Sequence, residues 1–327
     1  AGDIGAIGKA GCKTGDTLST KAVPVVYGKT EISKPYTYMA YKAKNKGDED
    51  KISQALAKIM DEDLTVKSVN DSENRQTLLY GMGDQHLAVI VSMLAEKYKV
   101  DVELTKPKVA FRETLRKKSD VEYKYKKQSG GHGQYGHVKM RFSPSGNLEE
   151  PYEFEQVVVG GAVPKNYFPA VEKGIQESVL KGPLAAYPVV GVKAVLYDGS
   201  YHPLDSSEMA FKIAASIAYK KGLEAAKPIL LEPIMNVQIL VPDNYMGDVI
   251  GDINKRRGRV IGMEPKGKLQ RISAEIPMGE MFTYATDLRS MTQARGSYFS
   301  EFLRYEEVPA SEVSKILEES KKLKAEA

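Results

Sequence analysis

One order of elements occurs twice in this chain, and no single small core can hold both copies. In residues 35–108, "YTYMAYKA" alternates as a strand and "DEDKISQALAKIMDED" sets Ile52, Leu56 and Ile59 at helical spacing. The strands "LTVKSV" and "RQTLLYGM", a second helix "DQHLAVIVSMLAEKY" and a strand "VDVELTK" follow. The order is βαββαβ, the ferredoxin-like arrangement. Residues 232–308 repeat it with "IMNVQILV", "NYMGDVIGDINKRR", "RVIGME", "LQRISAEIP", "EMFTYATDLRSMT" and "SYFSEFLRYEE". Even the junction before the second helix recurs, as Met82-Gly83-Asp84 and as Met278-Gly279-Glu280.

Residues 109–231 follow another plan. "VEYKYKK" puts Val121, Tyr123 and Tyr125 on one face and Glu122, Lys124 and Lys126 on the other. "HVKMRF" is read the same way, with Val138, Met140 and Phe142 inside and His137, Lys139 and Arg141 displayed. These strands predict a hairpin with a basic outer face around "KKQSGGHGQYGHVKM". Beyond it come a helix "KNYFPAVEKGIQESVLKG", a strand "GVKAVLYDG" and a helix "SSEMAFKIAASIAYKKG", with Asp205 and Glu208 spaced as a helix cap. The opening "AGDIGAIGKAGCKTGDTL" reads as the last strands of a small β unit, too short to close a core alone. The closing "ASEVSKILEESKKLKAEA" is a charged helix whose stripe of Val313, Ile316 and Leu317 predicts docking on its own protein.

Several chemistries lack their residues. One cysteine, Cys12, leaves no disulfide framework or multi-cysteine metal site, fits a reducing cytoplasmic setting, and is expected to be a small buried residue. No apolar run of about 20 residues is present to span a bilayer, so no membrane partner is expected. His132 and His137 stand five apart without a nearby third ligand, so no metal site is expected. "NKGD" at Asn45–Asp48 imitates a guanine-specificity motif, but without GxxxxGK[ST] it reads as a solvated loop. Four histidines and no G-x-S-x-G give no support for a nucleophilic triad, so no catalytic residue is assigned. His86 reads as a packed or capping histidine. "RGSYFSEF" departs from the RNA-recognition signature, and its aromatics read as core.

Net charge is only +4, so attraction to a polyanion must come from clustering. Two clusters stand out: Arg116, Lys117, Lys118, Lys124 and Lys126, and then Arg256, Arg257 and Arg259. Between them lie two polar loops. The first surrounds Gln134 and Tyr135 with Gly130, Gly131, Gly133 and Gly136, residues that let a backbone approach a surface closely. The second, "DGSYHPLDSSE", offers His202 between Tyr201 and Pro203. Sharing one end of a domain, they would make a polar tip on a basic shaft.

"QSGGHGQYGHV", "PVVGVKAVLYDGSYHPLDSSEMAFKIAASIA", "RRGRVIGMEP", "AEIPMGEMFTYATDLRSMTQARGSY" and "GMGDQHLAVI" resemble segments of bacterial elongation factor G, in family order and across essentially the whole chain. The resemblance implies an α+β multidomain fold: two ferredoxin-like βαββαβ domains flanking a ribosomal-protein-S5-domain-2-like α+β domain, preceded by a β-barrel remnant. It places the end of the β-barrel second domain at 1–34, the third domain at 35–108, the fourth at 109–231, the fifth at 232–308 and a C-terminal helix at 309–327. It implies a C-terminal portion lacking the GTPase domain, with no cofactor of its own; GTP and magnesium would belong to the full-length parent, a ribosome-stimulated GTPase. The implied role is translocation of tRNA and mRNA in the cytoplasm by a monomer whose partners are both ribosomal subunits, ribosomal RNA and the tRNA–mRNA duplex.

Ser129, Gly130, Gly131, His132, Gly133, Gln134, Tyr135, Tyr201, His202 and Pro203 match the family's duplex-contacting tip, and the two basic clusters would meet ribosomal RNA. His132 stands where the family commonly has arginine. A factor serving every codon must touch RNA without reading base identity, and glutamine and histidine can bond 2′-hydroxyls and phosphates without a fixed charge. Ribosome-protection and recycling GTPases share the architecture and remain open, as does, from another class, an independent metal-dependent hydrolase.

Overall fold

In the computed structural model, which describes residues 2–8, 11–29, 31–33, 35–127 and 133–325, the first repeat builds one sheet under two helices. Its elements are β1 (Thr37–Ala43), α1 (Glu49–Glu62), β2 (Lys67–Asp71), β3 (Gln76–Gly81), α2 (Asp84–Tyr98) and β4 (Val102–Thr105). The strand order is β2-β3-β1-β4, antiparallel throughout. Ile52, Ala55, Leu56 and Ile59 form a stripe on α1 at helical spacing and bury with Leu87, Ile90 and Leu94 of α2 against Leu79 and Val102. Lys99 takes a left-handed conformation (φ 57°) and Val100 N–H returns to Leu94 O, which ends α2. At the other end His86 ties down the turn before the helix: its Nδ1 accepts from Met82 N–H (3.0 Å) and its Nε2 lies 3.1 Å from Asp63 Oδ2. Burial alone would raise the Asp63 carboxyl, but hydrogen bonds from Thr65 and the His86 ring hold it below the usual carboxylate range.

Two expectations about the start of the chain fail. The described residues of 2–33 form no strand beyond an isolated Thr20–Val23 bridge, and Ile4, Ile7 and Val26 are exposed. An alternating segment with no partner strand leaves its backbone groups to water. Cys12, read as buried, is exposed for the same reason.

The middle region contains β5 (Arg112–Leu115), β6 (Ser119–Lys127), β7 (Gln134–Pro144), β8 (Tyr152–Gln156), α3 (Phe168–Ser178), β9 (Val192–Ser200) and α4 (Glu208–Ala225). The sheet order is β6-β7-β9-β8, with β8 parallel to β9 and the other pairs antiparallel. Val138, Met140 and Phe142 of β7 bury with Val192, Ala194 and Leu196 of β9 beneath Val171 and Ile175 of α3 and Phe211, Ala215 and Ala218 of α4. Alternation on β6 is as read, with Val121, Tyr123 and Tyr125 half-buried and Glu122, Lys124 and Lys126 exposed. His137 is not displayed: only 6% of it is exposed. The inner strand β7 has neighbours on both sides, and Glu122 and Ser200 close over the ring.

The second repeat contains β10 (Pro228–Pro242), α5 (Met246–Lys255), β11 (Arg259–Lys266), β12 (Leu269–Pro277), α6 (Tyr284–Met291) and β13 (Ser297–Glu307), followed by α7 (Ala310–Ala325). The strand order β11-β12-β10-β13 matches the first repeat. Val237, Ile239, Val249, Ile253, Ile272, Ala274, Tyr284 and Leu288 are its core. The first residues of β10 pair antiparallel with β5, and α7 sets Val313, Ile316 and Leu317 against Ala185, Leu230 and Val308. The chain therefore divides into Ala1–Val109 with Met235–Glu301, and Ala110–Ile234 with Phe302–Ala327. The aromatics of β13 are only partly core: Tyr298 meets the Tyr284 ring (5.0 Å), whereas Phe299 and Phe302 are more than half exposed. Alternation sends Phe299 to the face opposite Tyr298.

Candidate nucleic-acid interface

Both polar loops lie at one end of the middle sheet because β7 begins where β9 ends. His137 of β7 sits directly opposite Ser200 of β9, two residues before His202. Tyr135 N–H donates to Asp205 O (2.8 Å) and Gly133 N–H to Asp205 Oδ1 (3.1 Å), with a parallel bridge from Tyr135 to Ser206. Close approach requires Gly136, since a Cβ there would lie 2.6 Å from the Ala210 backbone at the start of α4. Asp205 is not the helix cap that its spacing suggests. Ser207 caps α4, its Oγ accepting from Ala210 N–H (3.2 Å), while Asp205 is taken by the glycine loop.

Gln134 and His202 are both exposed, and the Tyr135 and His202 rings lie 6.2 Å apart. Tyr125 O–H donates to Gln134 Oε1 (3.1 Å), which orients the amide. Within its own loop His202 Nδ1 faces the N–H groups of Asp205 (3.1 Å) and Leu204 (3.3 Å). Those bonds use Nδ1 as an acceptor and leave Nε2–H as the exposed donor of the ring. The Asp205 carboxylate lies 3.4 Å from the same Nδ1. Tyr201, Pro203 and Leu204 are exposed around it. Ser129, Gly130, Gly131 and His132 lie outside the described residues.

The shaft carries exposed Lys117, Lys118, Lys124 and Lys126, with Lys124 Nζ 5.9 Å from the Tyr135 ring. Arg116 is also exposed and pairs with Glu307. The second cluster is less available than its sequence suggests. Arg256 is buried: its guanidinium bonds Asp252 (2.6 Å), Asp287 (2.5 Å) and Glu280 O (2.7 Å) and stacks over Tyr284. Burial opposes its charge, but the two carboxylates outweigh it and raise its pKa. Arg257 faces Glu280 (3.4 Å) and Arg259 meets Glu275 (2.7 Å), with Arg259 well exposed.

A constellation that the sequence did not disclose lies beneath the tip. His137 Nε2 is 2.8 Å from Glu122 Oε1, His137 Nδ1 is 2.7 Å from Ser200 Oγ, and Ser200 Oγ is 2.7 Å from the Tyr135 hydroxyl. Strand pairing alone could have found it, since Ser200 faces His137 across one ladder and Glu122 is its diagonal neighbour across the other. Among the described residues no three of histidine, cysteine, aspartate and glutamate gather as metal ligands.

Residues 32–106 match the family model described as Elongation Factor G, domain III; residues 107–227 match Elongation factor G, domain IV; residues 229–316 match Elongation factor G C-terminus. This chain belongs to the elongation factor G family. The matched regions are non-GTPase domains of that family. A crystal structure from Thermus thermophilus is similar at 41% identity with a TM-score of 0.80, over 94% of this chain and 45% of that one. The chain thus spans under half the length of that protein. Membership of the elongation factor G family makes it a translation-factor chain. No described helix is long and apolar enough to cross a membrane.

Proposed function

We propose that this chain is the ribosome-binding portion of an elongation-factor-G-like translocase, and that Gln134, Tyr135 and His202 form the surface that meets the tRNA–mRNA duplex. The observation carrying this reading is the pairing of Tyr135 with Asp205 and Ser206, which brings the two loops together at one end of the sheet, where Gln134 and His202 are both exposed. Their hydrogen bonds suit sequence-independent RNA groups, and each is worth only about 1 kcal/mol net, so the tip biases position while the lysines of the shaft supply attraction. Arg256, spent inside its own domain, has no part in RNA contact. GTP and magnesium would bind the full-length factor's GTPase domain, in a cytoplasmic monomer.

The test uses the full-length factor. His202→Ala slows single-round translocation by about tenfold, the equivalent of one charge-neutral hydrogen bond or slightly more, and leaves ribosome-stimulated GTP hydrolysis intact. Equal loss of hydrolysis and movement would remove the role assigned to the tip. A factor that releases or protects ribosomes but never moves mRNA would overturn translocation itself.

A further inference from the structure

The chain Glu122–His137–Ser200–Tyr135 joins the outer face of the sheet to the tip, and one set of bond directions satisfies all four groups. An ionised Glu122 only accepts, so His137 Nε2 donates to it. With Nδ1 as acceptor, the ring takes the Ser200 hydroxyl hydrogen, and Ser200 Oγ is then the acceptor for Tyr135 O–H. Each group in the chain has a partner, and the 6% exposed imidazole is satisfied at both nitrogens. Tyr135 is thereby held twice, by its hydroxyl on Ser200 and by its backbone N–H on Asp205 O. Asp205 in turn donates its N–H to His202 Nδ1. The composition imitates a hydrolytic triad, but Ser200 Oγ, donating to His137, also receives the Tyr135 hydrogen bond, which withdraws the electron density that a nucleophile needs.

We propose that Glu122, His137 and Ser200 are positioning residues that fix Tyr135 and so lock the two tip loops into one preorganised surface. The inference rests on the reading of those loops as the RNA-contacting tip. Buried polar chains select a single geometry because any other leaves a group unsatisfied. A surface set before contact loses no freedom on meeting its partner. The chain therefore acts on the maximal rate of movement, not on attachment to the ribosome, which the exposed lysines govern.

Amide hydrogen exchange on this chain is the first measurement. Ser200→Ala speeds exchange at Tyr135, Tyr201, His202 and residues 204–206 by about tenfold, on the order of one lost hydrogen bond, while Met140 and its neighbours in β7 stay protected. Ser200→Thr, which keeps a hydroxyl, restores protection. In the full-length factor Ser200→Ala lowers the translocation rate at saturation and leaves the half-saturating concentration unchanged. Unchanged exchange at the tip, or loosening of the whole sheet alike, overturns the inference. So does a loosened tip with normal translocation in a factor that His202→Ala does slow. If His202→Ala has no effect, the proposed function fails separately, and the exchange pattern alone decides the positioning chain.

Discussion

Arg256 shows why a run of cations need not be a binding surface. Its partners Asp252 and Asp287 come from α5 and α6, so the guanidinium ties the two helices of one domain. Removing one member of a buried pair leaves the other charge uncompensated, and Arg256→Met should cost about 3 kcal/mol at pH 7, read from urea denaturation. The pH dependence has a definite sign. Burial would raise the Asp287 carboxyl, but Thr283 and Arg256 together hold it below the ordinary value. A group depressed in the folded state stabilises fully above its unfolded value of about 4, and that contribution is lost as pH falls through the folded value. The gap between wild type and Arg256→Met should therefore narrow in acid. A gap that stays constant from neutral pH down to strong acid would show that this pairing is not its source. Nothing local warned of this burial, because "NKRRGR" is equally basic whether its arginines face solvent or carboxylates.

At the scale of elements, α3 and α4 meet at Gly174, where a Cβ would come within 2.5 Å of Lys212 O and 3.2 Å of the Ala215 Cβ. Two effects compete on Gly174→Ala. Helix propensity favours alanine by about 1 kcal/mol. Overpacking against a backbone oxygen that cannot swing aside costs about 1–3 kcal/mol. The substitution should destabilise on balance, by an amount that thermal denaturation resolves; a rise in Tm would mean that the helices part at no cost. The long elements were legible because their apolar positions repeat with one period over many residues, as Ile52, Leu56 and Ile59 do. β5 and β8 were not, since four or five residues hold too few repeats to separate strand from loop. His137 was assigned to the correct face of β7, but periodicity says which way a side chain points and not whether neighbours cover it. Asp205 matched a cap spacing, yet the nearer Ser207 reaches Ala210 N–H and a loop 72 residues away claims the aspartate. Both polar loops could be read from their glycines and their histidine; their pairing could not, because nothing local to either loop records the other.

For the molecule as a whole, net charge of +4 is too small for long-range attraction to explain binding to a polyanion, so the spacing of cations must do so. Lys124 and Lys126 point from one face of β6 and are exposed, whereas Arg256 is enclosed. Each phosphate contact releases counterions and adds roughly 0.7–0.9 to the slope of log affinity against log salt. In the full-length factor, Lys124→Gln with Lys126→Gln should flatten that slope for ribosome binding by between about 1 and 2, with the largest loss of affinity at low salt. Arg256→Met, at a temperature where it stays folded, should leave the slope unchanged. If both variants weaken binding with an unaltered slope, the lysines act on the fold of the middle sheet and touch no phosphate. If Arg256→Met alone flattens it, that arginine leaves its carboxylates on the ribosome, and the assignment of RNA contact to the exposed shaft is wrong.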